Sequence, residues 1–320
     1  MVGEVAAVCI STKKGTPKWE MSQVVLVAEY GIREDAHAGA GHRQVSLLHE
    51  DDIQLMRAKG LDLRPGAFGE NLVVRGLPLA ELGIGTILTC GDVELEITQV
   101  GKECHTRCAI YHQTGDCIMP RAGVFARVIR GGSLRPGDTL NVKHFVPRSS
   151  PAAAVVTVSD SAAAGQARDT AGPAVAQLLA ERLGAHVVAT LVVPDEVADL
   201  QRALRSLASR GLDLVFTVGG TGLGPRDVTP EATRGVIQRE VPGLAEAMRA
   251  ASAAHTPRAW LQRGVAGTLG RTLVVNLPGS PKAAVENLTV ILPLLPHAVA
   301  LLRGETAHPE TDQARRPQPA

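Results

Sequence analysis

The two halves of the chain carry different hydrophobic grammars. Over roughly the first 145 residues the apolar positions come in short runs: Val24–Ala28, Gln44–Leu48, Asn71–Val74, Thr86–Thr89, Val93–Val100 and Val124–Ile129. Turn-forming clusters separate them, as at Leu63–Gly66, Cys90–Asp92 and Leu134–Asp138. Short strands punctuated by Gly, Pro and Asp predict a mostly β domain, a barrel. One helix is expected over His49–Lys59, closed by Gly60 at the C′ position. From Ala152 the pattern alternates. Val155–Val158 reads as a strand buried on both faces, and residues 172–183 as a helix with Val175, Leu178, Leu179 and Leu183 on one side. Strand His186–Val193, a helix over 195–210, strand Leu212–Val218 and strand Arg271–Leu277 follow, the last leading into a helix from Lys282. Repeated strand–helix units predict a doubly wound, largely parallel α/β sheet.

The change of pattern sets the expected boundaries: a β-rich domain over 1–147, a linker at 148–153, an α/β domain over 154–303 and a disordered tail at 304–320. Val146–Pro151, with two prolines and two serines, marks the junction.

Composition narrows the function classes. Lys+Arg 33 against Asp+Glu 32 leaves a net charge of +1, so no global attraction to nucleic acid or anionic lipid is encoded. Phe 4, Trp 2 and Tyr 2 are too few for a base-stacking platform. The start, Met1–Glu4, lacks the basic region of an export signal. The longest apolar run, Ile291–Leu302, is interrupted by Pro293, Pro296 and His297 and falls short of the ~20 residues a span needs, so no membrane is expected. The five cysteines, an odd number, all lie in the first 120 residues and read as reduced thiols of a cytoplasmic protein.

In doubly wound sheets ligands sit beyond the carboxyl ends of the strands, and there this chain places its most distinctive residues. Strand 212–218 runs into Gly219–Gly220–Thr221–Gly222–Leu223–Gly224–Pro225–Arg226–Asp227, and Thr229–Pro230 opens a helix with Thr229 as its expected N-cap. Val193–Pro194–Asp195–Glu196 ends a second strand, and Asn276–Leu277–Pro278–Gly279–Ser280–Pro281–Lys282 ends a third. Glycines let the backbone approach an anion closely, and paired carboxylates hold a divalent cation. Taken alone, such glycines could merely shape turns and the aspartates cap helices. The full set GGTGLGPRDVTPEAT, VPDE and NLPGSPK is far more specific: it resembles the MogA/MoaB molybdopterin-binding family, which also supplies domains of gephyrin-like proteins, over residues 152–303. The resemblance implies adenylyl transfer from ATP to molybdopterin with Mg²⁺. It implies Asp195 and Asp227 as the catalytic, metal-positioning pair. Ser159, Asp160, Gly219, Gly220, Thr221, Gly222, Asn276, Pro278, Gly279 and Ser280 would line the nucleotide and pterin pockets. It further implies a homo-oligomer, trimeric or hexameric, with other cofactor-biosynthesis proteins as partners. Alanine at Ala171 and Ser161 after Asp160 depart from the residues frequent in that family.

The first half has its own cluster, Gly101–Lys102–Glu103–Cys104–His105–Thr106–Arg107–Cys108, after the strand ending at Val100. A thiol beside Lys102, His105 and Arg107 has the surroundings of a reactive thiolate, which makes Cys104 the candidate nucleophile or sulfur carrier. Cys9 and Cys90, in apolar surroundings, read as buried structural residues. Cys104, Cys108, His105, His112 and Cys117 could instead bind zinc, although no second regular knuckle pairs with the first. The order GI-x2-DAHAG, RQVSLL, GAFGENL and QVGKECH resembles a MOSC domain over residues 1–145. That resemblance implies sulfur or molybdenum-cofactor handling, with Cys104 at the matching position. A protein of molybdenum cofactor biosynthesis is the expectation from both halves, and a non-catalytic molybdopterin carrier is the rival.

Overall fold

A computed structural model describes residues 1–101, 111, 115 and 117–305. It divides into two compact units: Met1–Val155 with Ala176–Leu191 and Arg202–Leu212, and Val156–Val175 with Val192–Gln201 and the chain from Asp213.

The β-rich part of the first unit contains β1 (Val2–Ile10), β2 (Trp19–Met21), β3 (Val24–Val27), β4 (Gly31–Ile32), β5 (Val45–His49), β6 (Leu72–Arg75), β7 (Ile87–Cys90), β8 (Val93–Val100), β9 (Val124–Arg130), β10 (Gly132–Leu134) and β11 (Thr139–His144). The main sheet runs β11-β7-β8-β9-β5-β6-β1-β2, and β1 pairs back onto β11 through Val2↔Asn141 and Glu4↔Thr139. This closes the sheet into a barrel and removes most of its free edge. Period-2 alternation fills it: along β8, Val93, Leu95 and Ile97 are buried while Glu94 and Glu96 are less so. They meet Val5, Leu47, Leu72, Leu88 and Val124 in one core. The small sheet β10-β3-β4 stands separately.

The expected helix forms as Glu50–Arg57, with His49 as N-cap accepting from Asp51 N and three acidic residues in the first turn. Ile53 and Met56 pack it over Leu48, Phe68 and Val73. Gly60 takes the left-handed φ of +86° just beyond its end. The stretch at Val146 is bonded to the first unit: Val146 N donates to Thr86 Oγ1 at 3.1 Å, and Gly83 N to Val146 O at 2.7 Å.

The α/β sheet comprises β12 (Ala152–Val158), β13 (His186–Val193), β14 (Leu214–Val218), β15 (Arg239–Glu240), β16 (Ala266–Leu269) and β17 (Thr272–Leu277), ordered β13-β12-β14-β17-β16-β15. β12, β14 and β17 are buried along their whole lengths, as their unbroken apolar runs require. β14 and β17 pair in parallel from Leu214↔Leu273 to Val218↔Leu277, so their carboxyl ends are level. Beyond them the sheet turns antiparallel: β16 returns on β17 through Gly270–Arg271, with Leu269 paired to Thr272. Gly270, at φ +59°, supplies the left-handed residue that so short a turn needs.

One expectation from the sequence needs correcting. The run at Ile291–Leu302 changes at its prolines, from the α-helix Pro281–Ile291 through a 3-10 turn Leu292–Leu294 to the α-helix Leu295–Arg303. Yet the helical stretch Pro281–Arg303 as a whole is, by length and composition alone, long and apolar enough to cross a membrane. Pro293 and Pro296 sit in the first positions of their helical segments, where a missing N–H costs nothing. Ala284, Leu288, Ile291, Leu295 and Val299 form a buried stripe along it, and its two α-helical parts pack against β17.

Candidate functional site

Four strand ends of the second unit meet, those of β12, β13, β14 and β17. β12 stops at Val158, and Ser159 caps the helix Asp160–Ala163, its hydroxyl accepting from Ala162 N at 3.3 Å. Ser159 N donates to Val193 O at 2.9 Å, which brings Asp160 beside Asp195. The two exchange bonds: Asp160 N donates to Asp195 Oδ2 at 2.8 Å, and Asp195 N to Asp160 Oδ1 at 2.9 Å. Asp169 organises the turn before the helix Ala171–Leu183, its Oδ1 accepting from Ala171 N and Gly172 N at 3.1 and 3.0 Å. That turn needs no side chain from Ala171.

The loop after β14 begins with Gly219 and Gly220 at φ +106° and +60°. A Cβ at Gly219 would lie 2.5 Å from Val158 O, and one at Gly279 would lie 3.2 Å from Gly219 Cα. Only glycines let β12, β14 and β17 converge this closely. Thr229 ties the loop back: its hydroxyl donates to Gly219 O at 2.9 Å and its N–H to Gly220 O at 3.0 Å. Thr229 is thus already the first helical residue, with Val228 at the cap, and not the N-cap the sequence suggested. Its hydroxyl is spent on the glycine loop, and Val228 has no side-chain oxygen to cap with.

Both candidate carboxylates flank this one loop. A Cβ at Gly220 would stand 3.1 Å from Asp195 Oδ1, and one at Gly222 or Gly224 would stand 2.9 or 2.8 Å from Asp227 Oδ2. Asp227 Oδ2 accepts from Gly224 N at 2.7 Å. Arg226 grips Asp160 with two bonds of 3.0 Å and reaches Glu196 at 2.8 Å. That guanidinium holds the Asp160 carboxyl below its usual range. Asp195 goes the other way: burial, and then the charges of Asp160 and Asp227, push its carboxyl up.

Hard oxygen donors crowded by like charge suit Mg²⁺, which takes one or two protein carboxylates and fills its remaining positions with water and substrate phosphate. Asp195 and Asp227 fit that description. Among the described residues no three His, Cys, Asp or Glu side chains gather to hold a metal ion by themselves.

The remaining sequence candidates divide. Pro278, Gly279 and Ser280 form the turn beside Gly219, with Gly279 and Ser280 exposed. Thr221 is buried. Asn276 is a brace and not a pocket-lining group: fully buried, it accepts from Val265 N at 3.1 Å and donates to Thr217 Oγ1 and Thr233 Oγ1 at 2.9 Å each. Its amide donors are used up inside the fold. Arg226, adjoining Asp227 in the chain, is a charge partner of the site that no motif singled out, and the same holds for Arg263. The N–H of Arg263 donates to Thr221 O at 2.9 Å.

In the first unit, Cys104, Cys108, His105 and His112 lie outside the described residues. Cys9 and Cys90 are buried; burial, followed by the charge of Asp138, pushes the Cys90 thiol up to about 11. The DAHAG motif supplies Asp35, whose Oδ2 lies 2.5 Å from Lys18 Nζ with both side chains sealed from solvent. GAFGENL supplies Glu70, which accepts from Gly66 N at 2.6 Å and Phe68 N at 3.0 Å.

Comparison with known proteins follows the same division. Residues 154–297 match the family described as probable molybdopterin binding domain, and residues 34–141 match the MOSC domain. The molybdenum cofactor biosynthesis bifunctional protein of Synechococcus elongatus is 42% identical over 152 residues, 48% of this chain and 47% of that protein. Cinnamon, a molybdenum cofactor synthesis protein of Drosophila melanogaster, is 44% identical over 48% of this chain and 26% of its own length. This chain thus spans half or less of those two relatives. A molybdopterin adenylyltransferase of Helicobacter pylori is 37% identical over 168 residues, 51% of this chain and 96% of that enzyme. The crystal structure of the molybdopterin biosynthesis enzyme MoaB of Thermus thermophilus is 52% identical, covers 48% of this chain and 96% of its own, and superposes with a TM-score of 0.46. Through residues 154–297 the chain belongs to the molybdopterin-binding domain family, with a MOSC match preceding that domain in the same polypeptide.

Proposed function

We propose that the second unit transfers the adenylyl group of ATP to the terminal phosphate of molybdopterin, in the service of molybdenum cofactor biosynthesis. An oxygen of that phosphate bonds to the α-phosphorus while the bond to the bridging oxygen breaks, and its electron pair leaves with pyrophosphate. The attacking monoester is already ionised at neutral pH, so the chain has little proton abstraction to perform. Its task is to bring two anions together. Asp195 and Asp227 would hold Mg²⁺, whose charge offsets that of the phosphates. Gly219 and Gly220, lacking side chains, let a phosphate lie against the backbone. Arg226 steadies Asp160, which in turn fixes Asp195 through their exchanged bonds.

The approach of Asp195 to Gly220 and of Asp227 to Gly222 and Gly224, within one glycine loop, is the observation that carries this reading. The MOSC-matching half would handle the cofactor or its sulfur, with Cys104 as the thiol, and the protein would act as a cytoplasmic homo-oligomer. Pyrophosphate release in the presence of ATP, Mg²⁺ and molybdopterin tests the proposal. An adenylyltransferase releases it with one adenylylated pterin per pyrophosphate; a carrier binds the pterin and releases none.

A further inference from the structure

Between Gly222 and Asp227 the chain makes an exposed excursion with glycines at Gly222 and Gly224 and, at its end, the carboxylate on which the proposed chemistry depends. The only bonds internal to it are Gly224 N to Asp227 Oδ2 and Asp227 N to Gly224 O, among the described residues. A segment this short and glycine-rich does not fix its own shape. Something outside it must.

Arg226 ties the far end of the segment to Asp160 and Glu196, and Arg263 holds both of its ends from the approach to β16. Its Nε donates to Gly222 O at 2.6 Å and its Nη2 to Asp227 O at 2.6 Å, while its Nη1 pairs with Glu231 in the following helix. Its own N–H holds Thr221 O at 2.9 Å. One side chain therefore grips the first and last carbonyls of the excursion together with the helix after it. We infer that Arg263 is a positioning residue for adenylyl transfer, fixing the Gly222–Asp227 loop so that the Asp227 carboxylate is held in place before substrate binds. The inference rests on the proposed reaction and adds a residue to it.

The chemistry requires arginine. Three acceptors in different directions need the planar fork of a guanidinium; an ammonium is a point charge and cannot span them. Among the described residues the Arg263 side chain bonds the loop through the carbonyls of Gly222 and Asp227 and the following helix through Glu231, so its effect on transfer is exerted through Asp227. It also lines a polar cavity of about 330 Å³ with Arg234, Glu240, Arg249 and Gln262. Truncation would join the vacated space to that cavity and leave a path for a free guanidinium ion.

The test compares wild-type protein with R263A and R263K as full-length chains. It follows kcat, the KM values for ATP and molybdopterin, melting temperature, and amide exchange over residues 222–227. R263A is expected to lose about 10²-fold in kcat, the scale of a small misplacement of a catalytic group, with KM for molybdopterin nearly unchanged. Millimolar guanidinium should restore part of that loss in R263A and none in Asp227→Ala. R263K, which keeps the charge and serves if R263A fails to fold, should show faster exchange across the loop and an intermediate kcat. A kcat within about twofold of wild type in both variants, or exchange unchanged in R263K, would overturn the inference. A wild-type protein that transfers no adenylyl group would instead overturn the reading beneath it, and the exchange result would still judge the clamp.

Discussion

The two units contain the same kinds of charged groups and use them oppositely. In the first unit the buried carboxylates of Asp35 and Glu70 are matched by donors of their own chain. Asp35 takes Lys18 Nζ at 2.5 Å, Ser11 N at 3.1 Å and His37 N at 2.9 Å, so its two oxygens knit three segments together. Glu70 is buried against the N–H groups of its own turn, and Lys18 N closes onto Gly66 O at 2.8 Å. In the second unit Asp195 and Asp227 each bond through Oδ2, while their Oδ1 atoms accept no hydrogen bond among the described residues. Burial and neighbouring charge make ionised Asp195 costly to hold. A carboxylate satisfied by the fold belongs to stability; one left with spare acceptor capacity beside a glycine loop belongs to a ligand.

Substitutions can break that comparison. The largest effect is expected at Asp227→Ala, which should lower adenylyl transfer by about 10³-fold or more while molybdopterin binding and melting temperature change little, since among the described residues the carboxylate's one hydrogen bond is that from Gly224 N. Kinetics, equilibrium binding and a thermal scan check the three parts. Lys18→Met should do the reverse. It removes the buried ammonium that faces Asp35, leaving that carboxylate to two N–H donors and the His37 ring, and should destabilise the first unit by about 3 kcal/mol, measured by denaturant unfolding, with transfer by the folded fraction unchanged.

The third expectation concerns pH. Burial pushes the Glu70 carboxyl from 4.5 up to about 7, so the folded state binds its proton more tightly than the unfolded state does. Stability from this group therefore falls as pH rises between those two values, by at most about 3 kcal/mol, and levels off above them. Asp35 has the opposite sign: held below the usual carboxylate range, it contributes fully above its unfolded value of 3.8 and loses that contribution as pH falls below it. Unfolding free energies across this range should lose their decline between pH 5 and 7 in Glu70→Gln, whatever that change does to absolute stability. The smallest effect is on thiol labelling. With its pKa near 11, Cys90 is less than about 1% thiolate at pH 8, so it and the buried Cys9 should react far more slowly than Cys104. Uniform labelling of all three, read by peptide mass, would remove the support for a reactive Cys104.

The sequence announced those parts of the fold whose apolar period is uninterrupted. β8 and β13 have the bounds that their alternation or continuous run suggested, and the helix Ala171–Leu183 starts within a residue of the expected position. β1 was illegible because a bulge between Val5 and Ala7 breaks its period and its middle is small alanine. β15 and β16 were missed because two exposed residues and the stretch Ala-Gly-Thr-Leu carry no strand signal without β17 beside them. The helix Pro242–Ala253 buries only Leu244, Ala245 and Met248, too narrow a stripe to stand out. In the site, Asp195 and Asp227 could be read because distinctive glycine and proline turns surround them. Asn276 shares such a turn, yet its register inside β17 aims the amide at Thr217 and Thr233. Arg263 was invisible for a different reason: it meets Asp227 across 36 residues, and no local pattern encodes such a contact.

The claim that separates the two units most directly is that the second unit's carboxylates take up the divalent cation together with the nucleotide. Titration with Mn²⁺ in place of Mg²⁺, followed by electron paramagnetic resonance with ATP present, measures it. The account predicts one nucleotide-dependent site in the wild-type protein and in Asp35→Asn, and sharply weakened binding in both Asp195→Asn and Asp227→Asn. Undiminished Mn²⁺ affinity in those last two variants would contradict it.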